Sequence, residues 1–272
     1  MHRLSLGRVE LAVLEDGTLP FAAKAFFSNV PERLWRDEVR PNAEGKIEVG
    51  HNCGLVDTGT ELIVIDTGYG ADTHGGRTGH LLEELARAGR RPEDVTAVIN
   101  THAHGDHIKG NTVVRADGAR APAFPNARYV LGRGDWQWFN GPAGRVHEFA
   151  EQVALLDRLE MLALADGELQ IAPDVRVLPT PGHTPGHASV VVESEGRTAI
   201  FLGDLCHHPL HVSQPQWTTE LDTHPDTTPR TRASLFDFAA EREALVIFPH
   251  AEPPGLGRIE RSDRGFRWNA LA

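Results

Sequence analysis

Thr101-His102-Ala103-His104-Gly105-Asp106-His107 follows directly on an apolar, β-branched run, residues 95–100, and precedes Gly110. A predicted strand therefore ends in three imidazoles and one carboxylate within six residues. Nitrogen and carboxylate oxygen are the donors that zinc-class divalent ions accept, and a loop at a strand end can aim alternate side chains at two points. One such loop could feed two metals. Read alone, the cluster could also be a solvated polar turn, but three elements downstream repeat its chemistry. They are Pro181-Gly182-His183-Thr184-Pro185-Gly186-His187, Gly203-Asp204 after residues 199–202, and Pro249-His250 after residues 244–248. Each follows an apolar run, and groups at successive strand ends converge on one edge of a sheet, where α/β folds place their sites. His183, Asp204 and His250 thereby extend the loop's four donors to a candidate cage of seven.

Working outward, further predicted strands are residues 9–14, 47–57, 61–66, 127–131, 175–179, 188–193 and 198–202, separated by Gly and Pro turns. Leu81, Leu82, Leu85 and Ala88 recur at helical spacing before Gly89. Phe149, Val153, Leu156 and Leu159 make a second stripe, and Leu235, Phe238 and Ala239 a third; all three read as core faces. Two strand-rich halves, each with helices, predict four α/β layers: two sheets face to face with helices outside. No linker and no repeat of 20 to 50 residues divides the chain, so residues 1–272 read as a single domain. Residues 20–41 and 209–229 fit neither period. Loops of that length in compact domains commonly serve as walls or lids, and Phe26 and Phe27 in the first could wall an apolar pocket over the metals.

The 27 basic and 38 acidic side chains leave a formal charge of −11, which opposes the attraction to phosphate backbones that nucleic-acid binding needs. No apolar run approaches the roughly 20 residues of a membrane span, so neither a nucleic acid nor a membrane is an expected partner. The opening MHRLSLGRVELAVLEDG lacks the apolar core of a secretory signal, and a cytoplasmic protein is expected. Cys53 and Cys206 lie in or beside apolar runs and read as small buried hydrophobes, not as a disulfide.

The HxHxDH loop, the later His in a Pro-Gly-His segment, the Gly-Asp and the final His stand in an order that resembles the metallo-β-lactamase superfamily. The resemblance covers roughly residues 9–268. It implies a four-layer αββα sandwich of two mixed β-sheets flanked by helices, built around two divalent metal ions. In that scheme His102, His104 and His183 hold the first ion, Asp106, His107 and His250 the second, and Asp204 bridges them. Asn52 and Leu62-Ile63-Val64-Ile65-Asp66-Thr67-Gly68 also look like the family's early strand signature, in which Asp66 would orient a metal ligand from behind. Asp204 stands where true β-lactamases carry a Cys, and His104 where flavin-linked di-iron relatives carry a Glu. The resemblance therefore lies with the hydrolytic branch of acyl-homoserine lactonases and methyl parathion hydrolase-like proteins.

What this implies is a hydrolase that uses a metal-bridging hydroxide to cleave an ester-like bond, with a lactone as first choice, in a small, partly apolar substrate. Zinc is the expected metal, with iron or manganese as alternatives. Asp106, Asp204 and His207 are the catalytic candidates. Phosphotriester or thioester hydrolysis, and a non-catalytic metal- or ligand-binding protein of the same fold, are the competing expectations. The expected partner is a small molecule, and a homodimer stays open.

His207 lies three residues after Asp204, where the lactonases carry a Tyr and methyl parathion hydrolase-like members can carry a His. An imidazole there could donate to a developing oxyanion or leaving group, or simply pack beside His208 and Pro209. His187 and His211 read as supporting or surface groups. His51, His74, His80, His147 and His224 have no motif behind them. Gly68-Tyr69-Gly70 and Gly75-Gly76 lack a nucleotide-binding fingerprint and read as flexible strand exits, and Trp136, Trp138 and Phe139 as helix packing.

Overall fold

The computed structural model describes residues 1–142, 144 and 147–271. The chain opens with β1 (His2–Leu6), β2 (Val9–Ala22), β3 (Lys46–Asp57), β4 (Leu62–Ile65) and β5 (Ala97–Ile99). A small hairpin of β6 (Thr112–Val114) and β7 (Arg120–Pro122) intervenes before β8 (Arg128–Gly132) and β9 (Leu162–Ala165) complete the first sheet, in the order β1-β2-β3-β4-β5-β8-β9. The second sheet runs in chain order through β10 (Leu169–Ala172), β11 (Val175–Pro179), β12 (Ala188–Ser194), β13 (Arg197–Phe201), β14 (Leu245–Ile247), β15 (Leu256–Ser262) and β16 (Gly265–Ala270). Both sheets are mixed: β4, β5, β8 and β9 pair in parallel, as do β13 and β14.

The period of two along the strands sets the layers. Ile63 and Ile65 of β4 point between the sheets, toward a core shared with Val190, Phe201 and Ile247. Leu62 and Val64 point the other way, against Leu81 and Leu85 of the helix Leu81–Arg87. In β13, Ala199 and Phe201 face inward while Ile200 faces Leu235 and Phe236 of the helix Thr228–Glu241. Each such side chain, fully buried, is worth about 1.5–3 kcal/mol. β4 and β5 are buried on both faces, which is why their sequences are unbroken apolar runs. The result is the expected αββα sandwich.

Several elements depart from the sequence reading. β2 continues to Ala22 because the register shifts between Glu15 and Gly17, where Gly17 has φ 138° and a Cβ would overlap the Arg77 carbonyl. β1, β6, β7, β9, β10, β15 and β16 are short, lie toward sheet edges or carry outward charges, as in LGRIERS, and leave little apolar signal. The second helical stripe is two short helices, His147–Gln152 and Ala154–Arg158, broken at Val153 (φ −120°), and Leu159 beyond them is 47% exposed. Leu82 is also exposed, and Phe238 lies under the Arg242 guanidinium, 3.9 Å from the ring centroid. Both cysteines are free and buried.

The two irregular segments clasp each other. The Ser28 backbone N–H donates to the Thr218 carbonyl at 2.9 Å, and that of Glu220 to the Ala25 carbonyl at 2.8 Å. Between them Phe26, Phe27 and Trp35 form an aromatic core with Leu210 and Trp217. Phe26 and Phe27 are each only 1% exposed, so they are packed core rather than the open wall expected of them. Gly68 is likewise a packing position: it has φ 63° and its missing Cβ makes room for the Asp16 carboxylate, which accepts the Tyr69 and Leu81 N–H groups. Among the described residues no helix is long and apolar enough to cross a membrane.

Candidate metal centre

Parallel pairing brings the carboxyl ends of β4, β5 and β8 level, with Ile65 beside Ile99 and Ile99 beside Val130. Their loops open onto the same edge as the loops after β13 and β14. The Ala188 N–H donates to the Thr101 carbonyl at 2.8 Å and ties the sheets together there. All seven sequence-derived donors meet at this edge. Donor atoms of His102, His104, His183 and Asp204 lie within 4.8 Å of one another, as do those of His107, Asp204 and His250. Asp204 belongs to both groups. Its Oδ2 lies 3.7 Å from His102 Nε2 and 3.5 Å from His183 Nε2, and its Oδ1 lies 3.2 Å from His107 Nε2 and 3.0 Å from His250 Nε2. Asp106 Oδ2 stands 3.5 Å from His107 Nε2 and 3.7 Å from His250 Nε2.

The electrostatics fit divalent cations. Burial pushes His102 well down and His183 down to about 3, leaving neutral imidazoles with a free lone pair, as metal ligation requires. Burial opposes ionisation of Asp106 and Asp204, but His107 and His250 hold both carboxyls below the usual range. Those carboxylates in turn push His107 and His250 up against the effect of their own burial. Buried anions are demanding positive charge. His107 Nε2 and Asp204 Oδ1 are closed to solvent and lack a well-directed hydrogen bond despite their proximity. Such orphaned groups cost about 1–3 kcal/mol each unless another partner, here a metal ion, satisfies them.

Backbone and carboxylate partners fix the clustered donors from behind. Asp66 accepts the Thr101 N–H at 2.7 Å and the Thr101 hydroxyl at 2.8 Å, and its Oδ2 lies 2.8 Å from His107 Nδ1, so it stands where the early signature puts it. His250 Nδ1 donates to the Gly50 carbonyl at 2.9 Å. Asn52 holds the loop before and after His250 through the Phe248 and Ala251 carbonyls, at 3.2 and 3.0 Å.

Three contributors had escaped the sequence reading. Asp222 lies 3.2 Å from His183 Nδ1. Asp135 accepts the Ala103 N–H at 2.8 Å and the Gly186 N–H at 2.6 Å, joining the two ligand loops, and burial pushes it up to about 6. His51, without a motif, lies 3.6 Å from Asp106 Oδ2. No spacing rule marks an isolated Asp or His, whether in a strand, a loop or the first turn of a helix.

His207 is buried at the centre, its Nε2 3.1 Å from Asp204 Oδ2 and its ring stacked on Phe26 at 5.4 Å and on His250 at 5.6 Å. His211 is buried too: its Nδ1 accepts the His207 N–H at 3.2 Å and its Nε2 donates to the Phe26 carbonyl at 2.8 Å. His187 lies buried behind His102, at 5.4 Å. The surface alternative for these two is therefore wrong. His74, His147 and His224 are exposed and His80 is half-buried. Beside His250 a cleft of about 620 Å³ is lined by Val39, Arg40, Ile47, His208 and Glu252 among others. A cleft of about 670 Å³ on the outer face of the second sheet, against the helix Thr228–Glu241, contains none of the clustered donors.

A family model described as the metallo-beta-lactamase superfamily matches residues 47–251. An N-acyl homoserine lactonase from Bacillus cereus is 28% identical over 168 residues, covering 55% of this chain and 61% of the relative, so the match spans less than two thirds of that protein. Among solved structures, AidC, a dizinc quorum-quenching lactonase, superposes with a TM-score of 0.85 at 26% identity, over 100% of this chain and 97% of its own. AbOPH, a hydrolase of the β-lactamase superfamily, gives 0.87 at 24% identity over 100% and 97%, which bears on the fold alone. The family match runs through every clustered donor from His102 to His250, and the chain belongs to the metallo-beta-lactamase superfamily.

Proposed function

We propose that the chain is a single metallo-β-lactamase-like domain over residues 1–272 and a cytoplasmic, dinuclear metal-dependent hydrolase, zinc-loaded, whose substrate is a lactone. The observation that carries this reading is the placement of Asp204, whose Oδ2 faces His102, His183 and His207 while its Oδ1 faces His107 and His250. That is the arrangement of a carboxylate shared between two cation positions. Similarity to lactonases supports the choice of substrate.

His102, His104 and His183 would hold one ion, Asp106, His107 and His250 the other, with Asp204 common to both. The ions would supply Lewis acidity, lowering the pKa of water and polarising the substrate oxygen. Asp204, buried and held ionised, accepts the proton that the attacking water gives up. His207 presents a ring nitrogen without a hydrogen-bond partner, free to donate to the oxyanion or the leaving oxygen. The cleft beside His250 has apolar lining from Val39 and Ile47 and polar lining from Arg40 and Glu252, which suits a small substrate with an apolar part and a polar head.

The test is a panel of lactones, esters, thioesters and phosphotriesters assayed on protein of defined metal content. Lactone turnover that rises with metal up to two equivalents is expected. Phosphotriesters turned over far faster than any lactone would reject the substrate, and activity indifferent to metal would reject the mechanism.

A further inference from the structure

None of the roles above uses His51. It sits in β3 opposite Gly17, at the bulge of β2, with its side chain turned into the centre and only 4% of the residue exposed. Its ring meets Tyr69 edge-on at 4.8 Å and His250 edge-on at 5.1 Å. Nδ1 stands 3.6 Å from Asp106 Oδ2, and His51, Asp106 and His250 each offer a donor atom within 4.8 Å of the other two. Both ring nitrogens are closed to solvent and neither has a hydrogen-bond partner. A neutral imidazole carries one donor and one acceptor, and leaving both unmet in an interior is destabilising. A position that needed only volume against Tyr69 would be better filled by Phe or Leu. Nδ1 instead stands 3.6 Å from the Asp106 carboxylate, on the side that also carries His250.

We propose that His51 is an additional nitrogen ligand on the side of the centre formed by Asp106, His107 and His250. The proposal rests on the dinuclear reading above and deepens it. With Asp204 shared, that side offers five protein donors, more than the four of a closed tetrahedral zinc site. The surplus favours coordination by five or more ligands, by zinc or by iron, manganese or cobalt, at this position over the other one.

The test is a metal titration of the full-length chain, stripped of metal, with Co²⁺ and Zn²⁺ in competition with a chelator, in wild type, His51→Phe and His51→Gln. Matching melting temperatures of the metal-free proteins control for folding. His51→Gln keeps a polar head and serves if His51→Phe does not fold. Loss of a mere supporting partner of a ligand weakens affinity about 10–100-fold, so loss of a direct ligand should weaken one of the two equivalents by about 100-fold or more and leave the other unchanged. The Co²⁺ absorption of the weakened equivalent should change in the variants. Two ions held as tightly, and with the same spectrum, without His51 would overturn this proposal alone. A wild-type chain that binds only one ion would overturn it together with the dinuclear reading.

Discussion

Asp222 Oδ1 lies 3.2 Å from Nδ1 of His183, while its Oδ2 accepts the Thr219 N–H at 3.0 Å. A carboxylate there keeps the proton of His183 on Nδ1 and aims the Nε2 lone pair at the other donors, so ring orientation is set before any cation arrives. Asp222→Ala should weaken the ion that His183 is proposed to hold by about 10–100-fold, read by chelator competition, with the other equivalent unaffected. Asp222→Asn, which still accepts through its amide oxygen, should recover most of that loss. Equal affinities in all three proteins would show that Asp222 serves only the local turn.

Asp135 ties Ala103 to Gly186, and burial pushes its carboxyl up to about 6 from 3.8, against the hydrogen bonds from Thr184, Gly186 and Ala103. Between those two values the folded chain binds more protons at this site than the unfolded chain, so its contribution to stability falls as pH rises through that window and is flat above it. The amount is about 3 kcal/mol for a shift of this size. Asp135→Asn has no charge to bury. The stability advantage of wild type over that variant, measured by denaturant unfolding, should therefore shrink between pH 4 and 7. An advantage that grows with pH would contradict the burial argument.

The seven central donors were legible because each closes an apolar strand, and a strand end is a local pattern that a single pass along the chain can find. The layers were legible because short apolar runs and helical stripes recur in both halves, but which residues of β4 and β13 face inward was not, since both runs are apolar on both faces. Asp222 and Asp135 were not, because their partners lie 39 and 51 residues away, and no local period connects them. His51 is hidden similarly, since only the fold brings β3 against the loop that carries His250. Leu159 shows another limit: helical spacing continues across Val153 although the helix does not. Phe26 and Phe27 lack any period, and that silence resembled an open wall until the clasp between the two irregular segments buried them.

Asp204→Asn retains one oxygen but turns an amide N–H toward imidazole nitrogens and removes the charge that both proposed cation positions would share. Turnover in metal-replete protein should fall by about 10² or more, because the amide cannot accept the proton of the attacking water. Its far-ultraviolet circular dichroism should match wild type. Unchanged kinetics at full metal content would remove Asp204 from the chemistry.

The His207 ring stacks on Phe26 and on His250, its Nε2 stands 3.1 Å from Asp204 Oδ2, and His211 accepts its backbone N–H. Because neither of its ring nitrogens has a hydrogen-bond partner, donation to a substrate oxygen sacrifices no existing bond. His207→Ala should lower kcat by roughly 10 to 10³ with metal content unchanged, the effect of removing one donor to developing negative charge. Loss of metal would make the residue structural instead. Phe26→Ala removes the ring that positions the imidazole and should lower kcat less than His207→Ala while destabilising the fold by about 3–5 kcal/mol. Phe27 packs on Trp35 at 5.1 Å rather than on His207, so Phe27→Ala should cost similar stability and leave kcat of the surviving folded protein near wild type. Since both rings are closed to solvent, neither substitution should discriminate long-chain from short-chain lactones through direct contact. A chain-length-dependent rise in KM in Phe27→Ala alone would mean that this aromatic core opens to admit the substrate.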